Sequence, residues 1–223
     1  MHVRTIEAAA WWARPRGETS ATWIANYQKS LTTRHRDVIV AAVRDLRATS
    51  VLEVGSHCGP NLVRLAQEDP TISQLTGVDV NAEAIEAGTR WVKALGLDER
   101  IQLATGRMPE ASATLPDGCV DVVLSCYALA YIAPPDLDAV LWELGRLARR
   151  GIVIAEPMTD KVKADEKITL QGYQEWAHNY RAAQRFLGSW AGMTISSRPV
   201  EPPVDQLSTV LVAVRGPGVV STP

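Results

Sequence analysis

The 223-residue sequence predicts an α/β fold: a doubly wound, mostly parallel seven-stranded sheet with helices on both faces and a C-terminal antiparallel hairpin. Three observations carry that expectation. Short apolar runs at 51–54, 74–80, 101–105, 119–125 and 151–155 alternate with amphipathic stretches of helical period, the pattern of βα units around a parallel sheet. The first run ends in a turn built on Gly55 and Gly59, after which Leu62, Leu65 and Ala66 take up helical spacing. The runs at 193–200 and 208–214 have only a short Pro-containing loop between them, so they must pair antiparallel.

Composition narrows the classes. With 23 basic and 25 acidic residues the formal charge is -2, which gives no electrostatic case for a nucleic-acid binder. No apolar run approaches the roughly 20 residues of a membrane span, and the first residues lack the apolar stretch of a signal peptide, so a cytoplasmic protein is expected. Cys58, Cys119 and Cys126 are odd in number and lack metal-ligand spacing, which points to reduced thiols and no metal site.

In chain order, residues 1–32 read as a helical extension or lid. They carry Trp11, Trp12 and Trp23, are broken at Pro15-Arg16-Gly17, and then place Trp23, Tyr27 and Leu31 on one helical stripe. Ile39, Ala42, Val43 and Leu46 mark a helix leading into the first strand, where Val51, Leu52 and Val54 are apolar and Glu53 is expected to face outward. The second strand ends at Asp79. Asn81 is a good N-cap for the next helix, on which Ile85, Gly88, Val92 and Leu95 share a face; Gly88 there suggests a close helix–sheet approach. Leu115-Pro116-Asp117-Gly118 turns into the fourth strand, Pro134-Pro135 starts a helix with Leu137, Leu141, Leu144 and Ala148 on one stripe, and Glu156-Pro157 closes the fifth strand. Residues 160–169 read as a charged loop and 172–188 as a helix on Tyr173, Trp176, Tyr180 and Leu187; residues from 216 onward read as a flexible tail.

The ordered motifs Glu53-Val54-Gly55-Ser56-His57-Cys58-Gly59 and Gly77-Val78-Asp79-Val80-Asn81, with the closing hairpin, resemble the class I S-adenosylmethionine-dependent methyltransferases over residues 33–215. The resemblance implies S-adenosyl-L-methionine as cofactor. It implies that the first turn, with Glu53, Gly55, Ser56, His57, Gly59 and Asn61, wraps the methionine part. Asp79 would hold the ribose hydroxyls, with Val80 beside the adenine, Arg107 and Met108 near the base, and Ser125 and Cys126 under the reacting centre. The chain departs from that family at His57, where glycine is common, and at Arg107, where an acid often stands and which cannot accept from the adenine amino group.

Candidate acceptor-side residues are Tyr127 and Tyr131 after the fourth strand, Glu156 after the fifth, expected to point into the cleft, and His178. Position 125–128, Ser-Cys-Tyr-Ala, lacks the Asp/Asn-Pro-Pro-Tyr signature of adenine and glutamine N-methyltransferases, and Glu156 stands without the second carboxylate of a magnesium site. A small-molecule acceptor remains, with oxygen or nitrogen chemistry open and a homodimer allowed. Two other classes compete. An NAD-type oxidoreductase would want Gly-x-Gly-x-x-Gly, which the spacing of Gly55 and Gly59 does not supply; a non-catalytic binding or partner protein would keep the cofactor motifs without an acceptor pocket.

Overall fold

The computed structural model describes residues 1–15, 17–158, 166–170, 173–178, 192–204 and 207–216. Helices α1 (Val3–Ala13), α2 (Glu18–Lys29) and α3 (Arg34–Asp45) precede β1 (Ser50–Val54). Then follow α4 (Pro60–Glu68), β2 (Gln74–Asp79), α5 (Ala82–Ala94), β3 (Ile101–Thr105), β4 (Val120–Cys126), α6 (Pro134–Leu147) and β5 (Ala148–Ala155). The chain continues through β6 (Glu166–Leu170), β7 (Tyr173–Ala177), β8 (Met193–Val204) and β9 (Leu207–Arg215).

Seven strands form one sheet in the order β3-β2-β1-β4-β5-β9-β8. The first five are parallel; β9 pairs antiparallel with both β5 and β8. The expected architecture is therefore present. Because the chain winds outward from β1 toward β3 and from β4 toward β5, the order reverses between β1 and β4, which opens a crevice at their carboxyl ends. Pro199 and the later prolines of β8 fall on the outermost strand, where a missing N–H breaks no internal ladder.

Alternation along each strand divides the core in two. Val51, Val122, Leu124 and Val153 pack with Ile39, Val43 and Leu46 of α3 and Leu62 and Leu65 of α4. Leu52, Val54, Val123, Ile152 and Ile154 pack with Leu137, Leu141 and Leu144 of α6. Both faces of the central strands are covered, so every residue of β1 is buried, and Glu53 does not face outward as the sequence suggested. It lies on the α3/α4 side with Val51.

The local expectations hold at several points. Asn81 Oδ1 accepts the Ala84 amide at 3.0 Å, capping α5. A Cβ on Gly88 would stand 2.7 Å from the Cys58 carbonyl oxygen and 2.6 Å from Leu103, so only glycine lets α5 come this close to the β1 turn. The sequence misjudged residues 166–170 and 173–177, and residues 159–165, 171–172 and 179–191 lie outside the described residues. β6 occupies part of the supposed loop and pairs antiparallel with β7, which starts where the helix was expected. Aromatic residues at 173, 176 and 180 fit a helical stripe, but Tyr173 and Trp176 also suit a strand, and partner pairing chose the strand. Tyr180 and Leu187 lie outside the described residues. Among the described residues, no helix is long and apolar enough to cross a membrane.

Candidate functional site

The turn after β1 sits at the crevice. Gly55 has φ 71°, and a Cβ there would fall 2.3 Å from the Ala128 Cβ in the loop after β4, so the two loops meet only because the residue is glycine. Gly59, at φ 79°, is the N-cap of α4. His57 holds φ 48° between them, a left-handed conformation that histidine tolerates better than most side chains. Its ring is buried and lies 4.5 Å from the Tyr27 ring, tilted by 41°. Burial lowers the imidazole to about 4, so it is neutral at physiological pH.

Three buried polar atoms at this turn have no hydrogen-bond partner: Glu53 Oε2, Ser56 Oγ and His57 Nδ1. Each such atom typically costs about 1–3 kcal/mol. Three within five residues of a glycine turn describe a cradle that a polar ligand would complete. The other oxygen of Glu53 is fixed: Asn61 Nδ2 donates to Oε1 at 2.5 Å, and Asn61 Oδ1 in turn accepts from Arg36. Arg36 also donates to the Ser30 carbonyl and hydroxyl. Asn61, expected to wrap the methionine part, thus links Glu53 to Arg36 in this structure. Burial pushes the Glu53 carboxyl up to about 8 against the Asn61 hydrogen bond and the nearby Arg36 charge.

One strand over, Asp79 Oδ2 accepts the His57 amide at 2.8 Å and Oδ1 accepts the Asn81 amide at 2.8 Å. The carboxylate is acceptor-only, and the capacity these amides leave over is open to a hydroxyl donor. Burial raises this carboxyl while the Asn81, His57 and Val80 amides oppose the rise. Beyond Val80, the Gly106 amide donates to the Asp79 carbonyl, and Met108 packs half-buried against the core on the α6 side of the sheet, as Val78 does. Arg107 is engaged elsewhere, as a fork on the exposed carboxylate of Glu110.

The acceptor-side candidates are rearranged relative to expectation. Glu156 is fully buried and does not point into the cleft. Its Oε1 accepts from Ser125 Oγ at 2.7 Å and from the amides of Ala128 and Leu129, and its Oε2 accepts from the Ala130 amide. The three amides on this carboxylate hold the loop after β4 in shape. Ser125, equally buried, spends its hydroxyl there, so its side chain does not reach a ligand. Tyr127 takes φ 55° at the start of that loop, its amide donating to the Ala155 carbonyl, and its ring meets His35 edge-on at 6.3 Å. Cys126 is half-buried at the end of β4, and burial pushes its thiol to about 12. His178 is not on a helix: it is buried after β7, with Nε2 donating to the Leu129 carbonyl at 3.1 Å. Glu156 and His178 therefore grip the same loop from two sides.

Sequence reasoning missed His35 and Arg36, which are buried despite lying in an Arg-His-Arg-Asp run. The signal was present, since they precede Ile39 and Val40 by one helical turn and share their stripe. Among the described residues, no group of three His, Cys, Asp or Glu is placed to hold a metal ion.

Residues 51–151 match the family model of a methyltransferase domain. Among solved structures, the chain is similar to magnesium protoporphyrin IX methyltransferase (ChlM) from Synechocystis PCC 6803 with bound SAM, at 20% identity over 85% of this chain and 84% of that one, TM-score 0.61. It is also similar to the methyltransferase domain of bacterial CtHen1-C, at 15% identity over 83% and 99%, TM-score 0.66. A third similarity is to the S-adenosylmethionine-dependent methyltransferase SibL in its apo form, at 21% identity over 81% of this chain and 54% of that one, TM-score 0.64. A search of the curated proteins found no match.

Proposed function

We infer that this chain is a class I S-adenosylmethionine-dependent methyltransferase that acts on an oxygen or nitrogen of a small-molecule acceptor. The observation that carries the reading is the pairing of an incomplete polar cradle with a carboxylate fork. Glu53 Oε2, Ser56 Oγ and His57 Nδ1 lack partners around Gly55, and Asp79 stands one strand away, an acceptor-only carboxylate oriented by backbone amides. The first group suits an amino-acid tail and the second a pair of ribose hydroxyls. Val80 and Met108 then supply the apolar wall for the base. Bound here, the cofactor brings a methyl group already activated on a sulfonium.

The chain's own residues have to hold an acceptor lone pair in line with that methyl and keep water out. Orientation of this kind contributes about 7–11 kcal/mol, whereas a general base adds roughly 3–5 kcal/mol, so the site can work without a dedicated base. That fits the acceptor side, where Glu156 and His178 shape the loop carrying Tyr127 and Tyr131. Tyr127 remains the candidate for direct contact with the acceptor. A small acceptor is supported by near-neutral charge and by the named substrate of ChlM, itself a small molecule.

Calorimetry tests the assignment. Binding of S-adenosylmethionine and its demethylated product, with none for NAD, is expected. A site that takes NAD and refuses both would overturn it, and turnover on a panel of phenols, carboxylates and amines would then define the acceptor.

A further inference from the structure

We propose that Tyr27 and His57 form a clamp on the donor's amino-acid tail, so that α2 is a wall of the cofactor crevice, with His57 Nδ1 donating to the tail's carboxylate. The inference rests on the cofactor reading above and goes beyond it by assigning a side chain where a glycine would leave none.

Four observations carry it. The His57 imidazole is 8% exposed, yet its Nδ1 has no partner in the protein. A neutral imidazole carries one N–H, which a carboxylate oxygen accepts well. The ring is not loose: its backbone amide is tied to Asp79 Oδ2, and it packs against the Tyr27 ring at 4.5 Å, tilted by 41°. Tyr27 is 37% exposed as a residue, so its outer part faces solvent, but its hydroxyl end is desolvated, which pushes it up to about 12, and it feels the charges of Cys126, Arg36, Cys58 and Asp79. Finally, α2 is anchored at the other end of the crevice, because Trp23 packs on Trp12 at 5.5 Å and Trp12 meets Tyr131 of the loop after β4 edge-on at 5.2 Å. One helix thus touches the donor turn through Tyr27 and, through the tryptophans, the acceptor loop. Tyr27 is a positioning residue in this arrangement, and His57 is the one that meets the ligand.

The experiment is calorimetry on the full chain with two probes, S-adenosylhomocysteine and 5′-methylthioadenosine, which shares the nucleoside but lacks the amino-acid tail. His57→Gly is expected to weaken S-adenosylhomocysteine by about tenfold or more, the scale of one charge-assisted hydrogen bond, while leaving 5′-methylthioadenosine unchanged. Tyr27→Ala should reproduce part of that selective loss and Tyr27→Phe should restore it, since the ring and not the hydroxyl braces the imidazole. His57→Asn, which tolerates positive φ and keeps a donor, guards against a folding defect and should fall between wild type and His57→Gly. Tighter S-adenosylhomocysteine binding by His57→Gly would show the imidazole to be an obstruction and overturn the clamp. Equal weakening of both probes would also overturn it, as a general loss of the turn. Failure of the wild-type chain to bind either probe would instead remove the cofactor reading on which the clamp stands.

Discussion

Asp79 and Glu53 are the two acids of the crevice, and each makes a different prediction. Asp79→Ala leaves ribose hydroxyls without acceptors, so S-adenosylmethionine affinity is expected to fall by about 1–3 kcal/mol in calorimetry; unchanged binding would place the ribose elsewhere. Glu53 is unusual in having one oxygen fixed through Asn61 and the other with no partner. Burial holds its proton up to about 8, above the ordinary value of 4.5. A donor ammonium beside Oε2 would favour the ionised form, so cofactor binding near pH 7 should release a proton. Calorimetry in two buffers of different ionisation enthalpy reads that directly, and Glu53→Gln should abolish the difference. Arg36→Met should weaken binding less than Glu53→Gln, because Arg36 supports the Glu53 carboxyl through Asn61 and through its charge and does not stand at Oε2 itself.

At the level of elements, the loop after β4 is the part of the site most dependent on remote support. Glu156 ties it with three hydrogen bonds and His178 with a fourth, from two segments that follow it by about thirty to fifty residues. Glu156→Gln replaces an acceptor by a donor facing backbone N–H groups. It is expected to lower kcat at least tenfold while S-adenosylmethionine affinity changes little, and to lower stability by about 1–3 kcal/mol. A proportional loss of donor binding would show that the loop supports the cofactor side instead. Gly88→Ala tests the other support. Its Cβ would press on the Cys58 carbonyl at 2.7 Å, backbone that cannot swing aside, so overpacking of about 1–3 kcal/mol is expected even though alanine is the better helix former.

For the whole molecule, buried titratable groups set the pH dependence. His35 and His57 are lowered by burial from 6.5 to about 4, so their contribution to stability is present above 6.5 and is lost as pH falls toward 4. Glu53 and Glu156 are raised by burial from 4.5 to about 8 and about 7, so theirs is present below 4.5 and is lost as pH rises toward those values. Between about 4.5 and 6.5 the two pairs oppose each other. Above 6.5 only the glutamates remain. The melting temperature of the ligand-free protein is therefore expected to decline from pH 6.5 to 8, by roughly 2–4 °C for each kcal/mol lost, and Glu53→Gln should flatten the decline. The opposite rim of the sheet is locked independently. Asp121 is fully buried and receives the Thr49 amide and hydroxyl with Arg149 and Arg150; burial works against its charge, but these donors hold it at about 2. Its charge therefore supports the fold at every pH above about 4, and Asp121→Asn should destabilise the protein across that range.

The parallel strands with their closing antiparallel hairpin, the glycine turn, the Asn81 cap and the tight place at Gly88 were legible from the chain alone, because periodicity and backbone permissiveness act over a few neighbouring residues. What each polar side chain faces was not. Glu53 was expected outside and Glu156 in the cleft; the first is covered by α3 and α4, and the second is saturated by the amides of Ala128, Leu129 and Ala130. Arg36 reaches Glu53 through Asn61, and Tyr27 reaches His57, across 25 and 30 residues of chain. Hydrogen bonding of buried groups is satisfied by whatever the fold brings within 3 Å. Only the tertiary structure decides that: it set Glu156 and His178 against the loop after β4 and left three polar atoms without partners at the first turn.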